Sequence, residues 1–359
     1  MPRSLLIQSR SHPYQVECKK TFEEAIYSIS DPEKAFFLVD AAIARLHGLL
    51  LAQIAPLERT LEIDPTESQK SFEALTPIFL DLLQRGLKRD SHIVVIGGGV
   101  LQDIGCFIAS VLSRGLRWEL VPTTLLAQAD SCIGSKSSIN IGPYKNQVGT
   151  FYPPHRVLLS TSVLASLPED EIRSGLGEII KLQLIAGEAH FQELMTDLAT
   201  HAPYDSDFLE KWVLRSLEVK LPFIEKDEFD TGIRNILNYG HTFGHAYESA
   251  THYEIPHGIA VILGILTATH LSVRLGLVGA QHYAGLKGVL KKWHDPFGER
   301  LKAIPIDSIL NAIKRDKKNT ANSLHCILTR GAGRMEKLPV RLEDHLIPAI
   351  STFLTDELK

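Results

Sequence analysis

A run of apolar and β-branched residues that stops at three consecutive glycines most constrains how this chain folds. The segment SHIVVIGGG, residues 91–99, is typical of a buried strand, and the apolar spacing of VLQDIGCFIASVL after it predicts a helix. Gly98 and Gly99 lack Cβ atoms, so a ligand can approach their backbone, and the helix start offers free N–H groups to a phosphate. The turn lacks the G-x-G-x-x-G pattern, and therefore both a pyrophosphate site and a plain tight turn stay open.

The first half of the chain alternates between strand and helix patterns. KAFFLVD at residues 34–40 and WELVPTT at 118–124 predict strands, while residues 41–54 and 71–87 have helical apolar spacing. From residue 167 onward the pattern is helix after helix. We therefore predict an α/β fold, with a Rossmann-like parallel-sheet domain at residues 1–165 and an all-α domain at 166–359.

The composition limits the partners that this chain can have. Its 359 residues are 44% hydrophobic and 22% charged, and a net charge of −4 gives no overall attraction to nucleic acid or anionic lipid. Four scattered cysteines without C-x-x-C spacing indicate reduced thiols. The longest apolar run, residues 259–268, is about half of the roughly 20 residues that span a bilayer. We expect a cytoplasmic protein without nucleic-acid or membrane partners.

A long polar segment, residues 117–154, contains Asp130, Lys136, Lys145 and Asn146, and Arg114 comes just before it. Solvated lysines on a surface loop are one explanation. Long loops are more often functional, however, and a phosphate-bearing substrate needs several cations that converge on it.

Histidines dominate the second half. In NYGHTFGH, residues 238–245, His241 and His245 stand one helical turn apart, a spacing that fits either metal ligation or helix packing. Glu178 and His257 add donors, and one carboxylate with two imidazoles forms a tripod with open positions, as catalytic zinc sites require. Arg234 and Asn238 are four apart, so on an α-helix they would project together as a clamp for a carboxylate.

Several spaced motifs together carry a family resemblance. PTESQK, GGGVLQD, VPTTLLAQADSCIGSK, KNQVGTFYPP, LASLPEDEIRSGLGEIIK, IRNILNYGHTFGHAYE, PHG and DKK occur in this order between Asp40 and Lys318. On these motifs the chain resembles the sugar-phosphate cyclases and, among them, most closely the 3-dehydroquinate synthases.

The resemblance implies roles for named residues. A divalent metal, zinc or cobalt, would be held by Glu178, His241 and His257. NAD would be bound by Asp40, Glu67, Lys70, Gly98, Gly99, Asp103, Thr123 and Thr124. Cofactor and substrate would meet at Asp130, Lys136, Lys145 and Asn146. The substrate would be surrounded by Arg114, Lys181, Lys220, Arg234, Asn238, His245 and Lys318.

The resemblance also implies a reaction and an assembly. A small sugar phosphate would be oxidised transiently by NAD, would eliminate phosphate, would be reduced again, and would close by an intramolecular aldol reaction. Because Arg114 often serves the neighbouring subunit's site in this family, a homodimer is expected.

Some residues depart from the family pattern. Ser135 and Ser137 flank Lys136 where glycine and threonine are usual, and Gln102 replaces a glycine. Ile259 replaces a glutamate near His257, which predicts a weaker metal site. These changes leave open a sister cyclase that forms 2-deoxy-scyllo-inosose or a valiolone, a metal-dependent polyol dehydrogenase, and a non-catalytic binding protein. Arg234 favours a substrate with a carboxylate, 3-deoxy-arabino-heptulosonate 7-phosphate, because a buried arginine without its acid is costly.

Overall fold

The chain forms two compact units. The computed structural model describes residues 4–142, 144–202, 204–314, 319–320 and 322–357. The first unit comprises Met1–Leu167, Leu209–Leu217 and Ile224–Phe229, and the second comprises Pro168–Phe208, Glu218–Phe223 and Asp230–Lys359. The sequence analysis placed a single boundary at residues 165–166. Two stretches after that boundary, Leu209–Leu217 and Ile224–Phe229, belong to the first unit. The two units are therefore not divided at a single position in the sequence.

The first unit has nine strands and four α-helices in its described part up to residue 167. The strands are β1 (Ser4–Ile7), β2 (Tyr14–Cys18), β3 (Ala35–Asp40), β4 (Thr60–Ile63), β5 (His92–Gly97), β6 (Arg117–Pro122), β7 (Ile139–Ile141), β8 (Tyr144–Val148) and β9 (Arg156–Leu159). The helices are α1 (Phe22–Tyr27), α2 (Ala41–Leu51), α3 (Phe72–Gln84) and α4 (Gly99–Val111).

Seven of these strands form one sheet in the order β1-β2-β9-β6-β5-β3-β4. Only the β1–β2 pair in this sheet is antiparallel, whereas the pairs that join β2, β9, β6, β5, β3 and β4 are parallel. Every residue of β3 and β5 is buried, as expected for central strands covered on both faces. The predicted parallel α/β domain is confirmed, and the carboxyl ends of β3, β5 and β6 lie at one edge of the sheet.

A half-buried imidazole in this unit predicts that the protein loses stability in acid. His155 stacks on His12 with ring centroids 4.1 Å apart, and its Nδ1 accepts a hydrogen bond from the Trp118 backbone N–H at 3.4 Å. Burial, followed by the charge of His12, lowers the pKa of His155 from 6.5 to about 4. The unfolded chain therefore binds the proton more readily, so stability is lost as the pH falls from 6.5 toward 4.

Replacing His155 by asparagine should reduce this loss, because the amide keeps an acceptor for Trp118 but does not titrate. Between pH 7 and pH 5 we expect the variant to lose about 1 kcal/mol less unfolding free energy than the wild type, a figure that allows for partial solvent exposure. Urea titrations at both pH values measure the difference. The same substitution at the exposed His201 is the control. An equal loss of unfolding free energy between pH 7 and pH 5 in all three proteins would contradict the prediction.

The second unit is predominantly helical. Its helices are α5 (Glu169–Ala186), α6 (Glu188–Thr200), α7 (Ser206–Lys226), which is shared with the first unit, α8 (His241–Ala250), α9 (His257–Arg274), α10 (Ala280–His294), α11 (Gly298–Lys302), α12 (Ile306–Lys314) and α13 (Ile347–Thr352). The helical prediction is confirmed, with one addition. A small antiparallel sheet, not predicted, consists of β10 (Asn319–Thr320), β11 (Ser323–Thr329) and β12 (Met335–Arg341).

Helix α9 is the central element of the second unit. It is long and apolar enough to cross a membrane by length and composition, but 78% of its apolar window is buried inside the protein. It contains the longest apolar run of the sequence, residues 259–268, and every residue of that run is buried.

Glycines let α5 and α8 approach α9 closely. A Cβ on Gly258 would lie 1.8 Å from the carbonyl oxygen of Ser174, and a Cβ on Gly177 would lie 2.3 Å from that of Gly258. On the other side, a Cβ on Gly264 would lie 1.9 Å from the carbonyl oxygen of Gly240. Any side chain at these positions would push the helices apart. The glycines therefore determine how closely the residues beside them meet.

Candidate active site

Three predicted metal ligands meet where these helices touch. Glu178 follows Gly177 on α5, His241 follows Gly240 at the start of α8, and His257 precedes Gly258 at the start of α9. Their ligand atoms all lie within 4.8 Å of one another. Oε1 of Glu178 lies 3.5 Å from Nε2 of His241 and 3.1 Å from Nε2 of His257. The structure thus brings together one carboxylate and two imidazoles, although the three residues lie far apart in the sequence.

The Glu178 carboxylate has the environment of a metal ligand. Its side chain is 1% exposed, and neither oxygen accepts a well-aligned hydrogen bond from the described residues. Its other oxygen forms an ion pair with Lys181, one turn along α5 and also buried. Lys181 compensates the charge of this carboxylate on one side, while Oε1 faces Nε2 of both imidazoles. A divalent ion among these three donor atoms would be bound by all of them at once, so these residues fit a metal.

Glu248 supports this arrangement from behind. Its Oε1 lies 3.1 Å from Nδ1 of His257, on the side of the ring opposite Glu178. A carboxylate that accepts the second ring N–H fixes the tautomer and orientation of a metal-ligating histidine. Ile259, by contrast, is fully buried among apolar residues of α9. Glu248 of α8 thus places a carboxylate beside His257 although Ile259 does not, and the weaker metal site stays a prediction.

The two carboxylates make this site favourable for a cation. Burial alone would lower the pKa of His257, but Glu248, followed by Glu178, outweighs it and raises that pKa to about 10. A second group, His245, Glu248 and His257, also has ligand atoms within 4.8 Å of one another. Since His257 belongs to both groups, a metal on its Nε2 leaves Nδ1–H to donate to Glu248. The first group is favoured because only it satisfies the buried Glu178.

Replacing Glu248 by glutamine should weaken metal binding without abolishing it. The neutral amide polarises His257 less and tolerates the wrong tautomer, so we expect a 10- to 100-fold higher metal dissociation constant, the range typical of outer partners. Competition with a fluorescent zinc chelator measures this constant directly. Glu254→Gln, an exposed change in the same unit, is the control. An unchanged constant for Glu248→Gln would show that Glu248 does not orient His257.

The predicted substrate residues of the second unit differ in their surroundings. Arg234 is only 5% exposed and Lys220 only 6%, whereas His245 is exposed. Arg234 and Asn238 lie on a 3₁₀ helix, Ile233–Asn238, rather than on an α-helix. With three residues per turn, side chains four apart are about 120° out of line. The argument that these two project together was therefore wrong, although each remains a predicted substrate contact. Lys318 lies outside the described residues.

The predicted nucleotide-binding residues of the first unit gather at the carboxyl edge of its sheet. Asp40 ends β3 and caps α2, where its Oδ1 accepts the Ala42 N–H at 2.7 Å. Gly98 lies between β5 and α4, and a Cβ there would lie 2.7 Å from the Thr124 side chain. Thr123, which is buried, follows β6, and its N–H bonds to the Gly97 carbonyl at 3.0 Å. Open parallel sheets bind nucleotides at this edge. Because Gly98 has no side chain, a phosphate can approach the backbone N–H groups at the start of α4.

A charged network lies beside this edge. Lys70 Nζ contacts Asp103 Oδ2 at 3.0 Å, and Lys145 Nζ contacts Glu67 Oε1 at 3.1 Å. Burial raises the pKa of Asp103, while Lys70 opposes that shift. Asn140 donates to Glu67 Oε1 at 2.9 Å and so ties the network to the β7–β8 hairpin. Four predicted residues from three separate segments are thus brought together.

The remaining predicted residues of this unit lie in short helical turns, in an isolated β-bridge and in β8. Asp130 is in a π-helical turn, Ala127–Ser131, and Lys136 is exposed between Ser135 and Ser137. Asn146 has a left-handed φ of 53°, and its N–H bonds to the Asn140 side chain at 2.9 Å. Arg114, also left-handed with φ 65°, is exposed just after α4.

Sequence reasoning missed two residues of these clusters. Glu248 is seven residues after His241 and three after His245, so helical spacing alone places it on their face. That signal was present in GHTFGHAYE but was not used. Asn140 had no such signal, because its contact with Glu67 joins residues 73 apart through a hairpin.

Comparison with known proteins agrees with this geometry. Residues 60–174 match the family model described as 3-dehydroquinate synthase N-terminal, and residues 175–319 match the one described as 3-dehydroquinate synthase C-terminal. The chain belongs to the 3-dehydroquinate synthase family. One relative, the 3-dehydroquinate synthase of Alkaliphilus metalliredigens (strain QYMF), is 32% identical over 330 residues, which are 91% of this chain and 90% of the relative. The charged network beside the sheet edge lies within the first matched range, and the Glu178–His241–His257 cluster lies within the second.

Solved structures share the fold. A 2-deoxy-scyllo-inosose synthase complexed with carbaglucose-6-phosphate, NAD⁺ and Co²⁺ has a TM-score of 0.84 and 24% identity, covering 97% of this chain and 99% of its own. A 2-epi-5-epi-valiolone synthase from Streptomyces hygroscopicus subsp. jinggangensis 5008, with NAD⁺ and Zn²⁺ bound, has a TM-score of 0.81 and 23% identity, covering 98% and 99%. At these identities the likeness establishes the architecture alone.

Proposed function

We propose that this protein is a 3-dehydroquinate synthase, which converts 3-deoxy-arabino-heptulosonate 7-phosphate into 3-dehydroquinate and phosphate. The observation that carries the proposal is the Glu178–His241–His257 cluster, which lies in a chain of this family. The net reaction eliminates phosphate and consumes no NAD, so the enzyme is a carbon–oxygen lyase. The donor set of one carboxylate and two imidazoles suits zinc or cobalt.

The cofactors supply chemistry that side chains lack. When bound, NAD accepts a hydride from the substrate and returns it, and the divalent ion polarises the substrate oxygens. Glu178, His241 and His257 would hold the ion. NAD would lie at the sheet edge described above, with Gly98 and Gly99 against its pyrophosphate and Asp40, Glu67, Lys70 and Asp103 around its ribose and nicotinamide portions.

The chain's own residues bind and orient the substrate. Arg234 pairs with the substrate carboxylate, since a guanidinium presents two parallel N–H donors to an acid. Lys136 and Asn146 bind the phosphate and favour its departure as an anion, which is electrostatic stabilisation of a leaving group. Lys220 is a further proposed substrate contact. His245, exposed beside the metal cluster, donates to or accepts from a substrate hydroxyl.

Arg114 extends the proposal to a homodimer. Its side chain is exposed at the end of α4, and its left-handed backbone turns the chain sharply there. We propose that it reaches the substrate phosphate of a neighbouring copy. Mixing an Arg114→Ala chain with an otherwise inactive His241→Gln chain should restore activity, because some mixed dimers then contain one complete site.

The test of the function is phosphate release from the heptulosonate phosphate. We expect release that requires both NAD and Zn²⁺ or Co²⁺, without accumulation of NADH, and 3-dehydroquinate identified by NMR. Glucose 6-phosphate and sedoheptulose 7-phosphate are the comparison substrates, because their cyclases make the inosose and the valiolone. Release from either of these, but not from the heptulosonate, would reject the proposal, as would steady NADH formation from a simple polyol.

A further inference from the structure

Lys136 lies close to aromatic side chains to which the sequence analysis assigned no role. Its backbone pairs with that of Phe151 in an antiparallel bridge, and its Nζ lies 5.9 Å from the centroid of the Phe151 ring. Phe151 in turn meets Phe229 edge to face, with centroids 5.1 Å apart and planes at 83°. A ring beneath an ammonium attracts it, and a second ring edge-on to the first holds that ring in place.

Glu228 supports the backbone of the same lysine. Its buried carboxylate accepts hydrogen bonds from Ser135 Oγ at 3.0 Å, Ser9 Oγ at 2.6 Å and the Arg10 N–H at 2.8 Å. Ser135 has a left-handed φ of 59°, a conformation that favours glycine. A serine here is strained, and its charge-assisted hydrogen bond to Glu228 offsets that strain.

Glu228 and Phe229, which are adjacent in the sequence, therefore act on the backbone and on the side chain of Lys136, respectively. Glu228 holds the residue before Lys136, and Phe229 holds the ring beneath its ammonium. We propose that Glu228, Phe229 and Phe151 are positioning residues that hold the Lys136 ammonium for the phosphate of the substrate. This inference rests on the proposed function for its substrate, but the arrangement of the lysine can be tested without it.

Chemical labelling tests the arrangement directly. Only an unprotonated lysine reacts with acetic anhydride, so a ring that stabilises the ammonium protects it. Loss of an exposed cation–π contact should increase the labelling rate of Lys136 in Phe151→Leu about 2- to 5-fold, measured by mass spectrometry of the peptide. Phe151→Tyr should keep the wild-type rate, and Phe229→Leu should increase it. An unchanged Lys136 rate in both leucine variants would overturn the inference.

Phe72→Leu is the matched control. Phe72 is 45% exposed and Phe229 is 43% exposed, and Phe72 also meets another ring, that of Phe107, edge to face. Among the described residues its ring has no ring contact with Phe151 or Phe229, so the labelling rate of Lys136 in Phe72→Leu should match the wild type. A comparable increase in Phe72→Leu would indicate general loosening of the unit and would also overturn the inference.

A double-mutant cycle on phosphate release tests the functional half. Glu228→Gln and Phe229→Leu should each raise KM for the heptulosonate phosphate more than they lower kcat, and neither should matter in a Lys136→Met background. Equal losses in both backgrounds would assign these residues a merely structural role. Ser135→Ala should raise KM more than Ser135→Gly does. Both variants lose the hydrogen bond to Glu228, but only glycine relieves the backbone strain.

The two experiments fail separately. If the wild type releases no phosphate but Lys136 labelling responds to Phe151→Leu, the proposed function is wrong and the positioning stands. If phosphate is released but labelling and the cycle show no link to Lys136, the proposed function stands and the positioning is wrong.

Discussion

Replacing His241 by glutamine is expected to release the divalent ion and to lower phosphate elimination by at least about 10²–10³-fold, as when one charge-stabilising group is lost. The amide fills most of the imidazole's volume but places no strong donor atom opposite Glu178. The remaining pair, Glu178 and His257, cannot hold a tetrahedral ion with the affinity of three donors. Metal content by plasma mass spectrometry after dialysis, together with activity, measures both effects.

His245→Gln is the matched variant for this prediction. The two rings lie on the same face of α8 with centroids 5.4 Å apart, but only His241 points a nitrogen at Glu178. We expect His245→Gln to keep its metal and to lose activity through poorer handling of the substrate hydroxyl. The opposite outcome, metal lost from His245→Gln and kept in His241→Gln, would place the ion among His245, Glu248 and His257 instead.

The sequence predicted elements better than it predicted their contacts. The β5 strand and α4 helix followed from a β-branched run, three glycines and an amphipathic segment, because local sterics and burial decide such units. β11 and β12 were missed, since β12 contains Glu336, Lys337 and Pro339 and lacks a strand's apolar alternation. Its pairing with β11 along seven residues, rather than its own propensity, makes it a strand.

The candidate site shows the same division. Residue types and their order pointed to Glu178, His241 and His257, but their convergence depends on helix contacts at Gly177, Gly240 and Gly258. No periodicity in the sequence reveals that a Cβ at those glycines would meet another helix's backbone. The Arg234–Asn238 argument failed for a related reason. The turns of a 3₁₀ helix and an α-helix differ by only about 0.6 residue, so the spacing of two residues in a short segment does not distinguish them.

Replacing Arg234 by glutamine is expected to lower kcat/KM for the heptulosonate phosphate by roughly 10⁴-fold, the scale at which a site built around one polar group rejects its absence. Arg234 is almost fully buried, so its interactions are screened little by water. Arg234→Lys should recover only part of the loss, because an ammonium cannot form two parallel hydrogen bonds to a carboxylate. Steady-state phosphate release gives kcat/KM for the wild type, Arg234→Gln and Arg234→Lys.

A substrate without the acid separates recognition from damage to the fold. With a heptulose 7-phosphate that lacks the carboxylate, the wild type should be poor, and Arg234→Gln should lower its rate little further, because the missing interaction cannot be lost twice. The thermal midpoint of unfolding and the affinity for NAD, compared with those of the wild type, show whether the variant is folded. Equal losses on both substrates, in a folded variant, would mean that Arg234 does not read the carboxylate. The choice of 3-dehydroquinate synthase among the cyclases would then lose its physical basis, since Arg234 is the buried residue proposed to bind the acid.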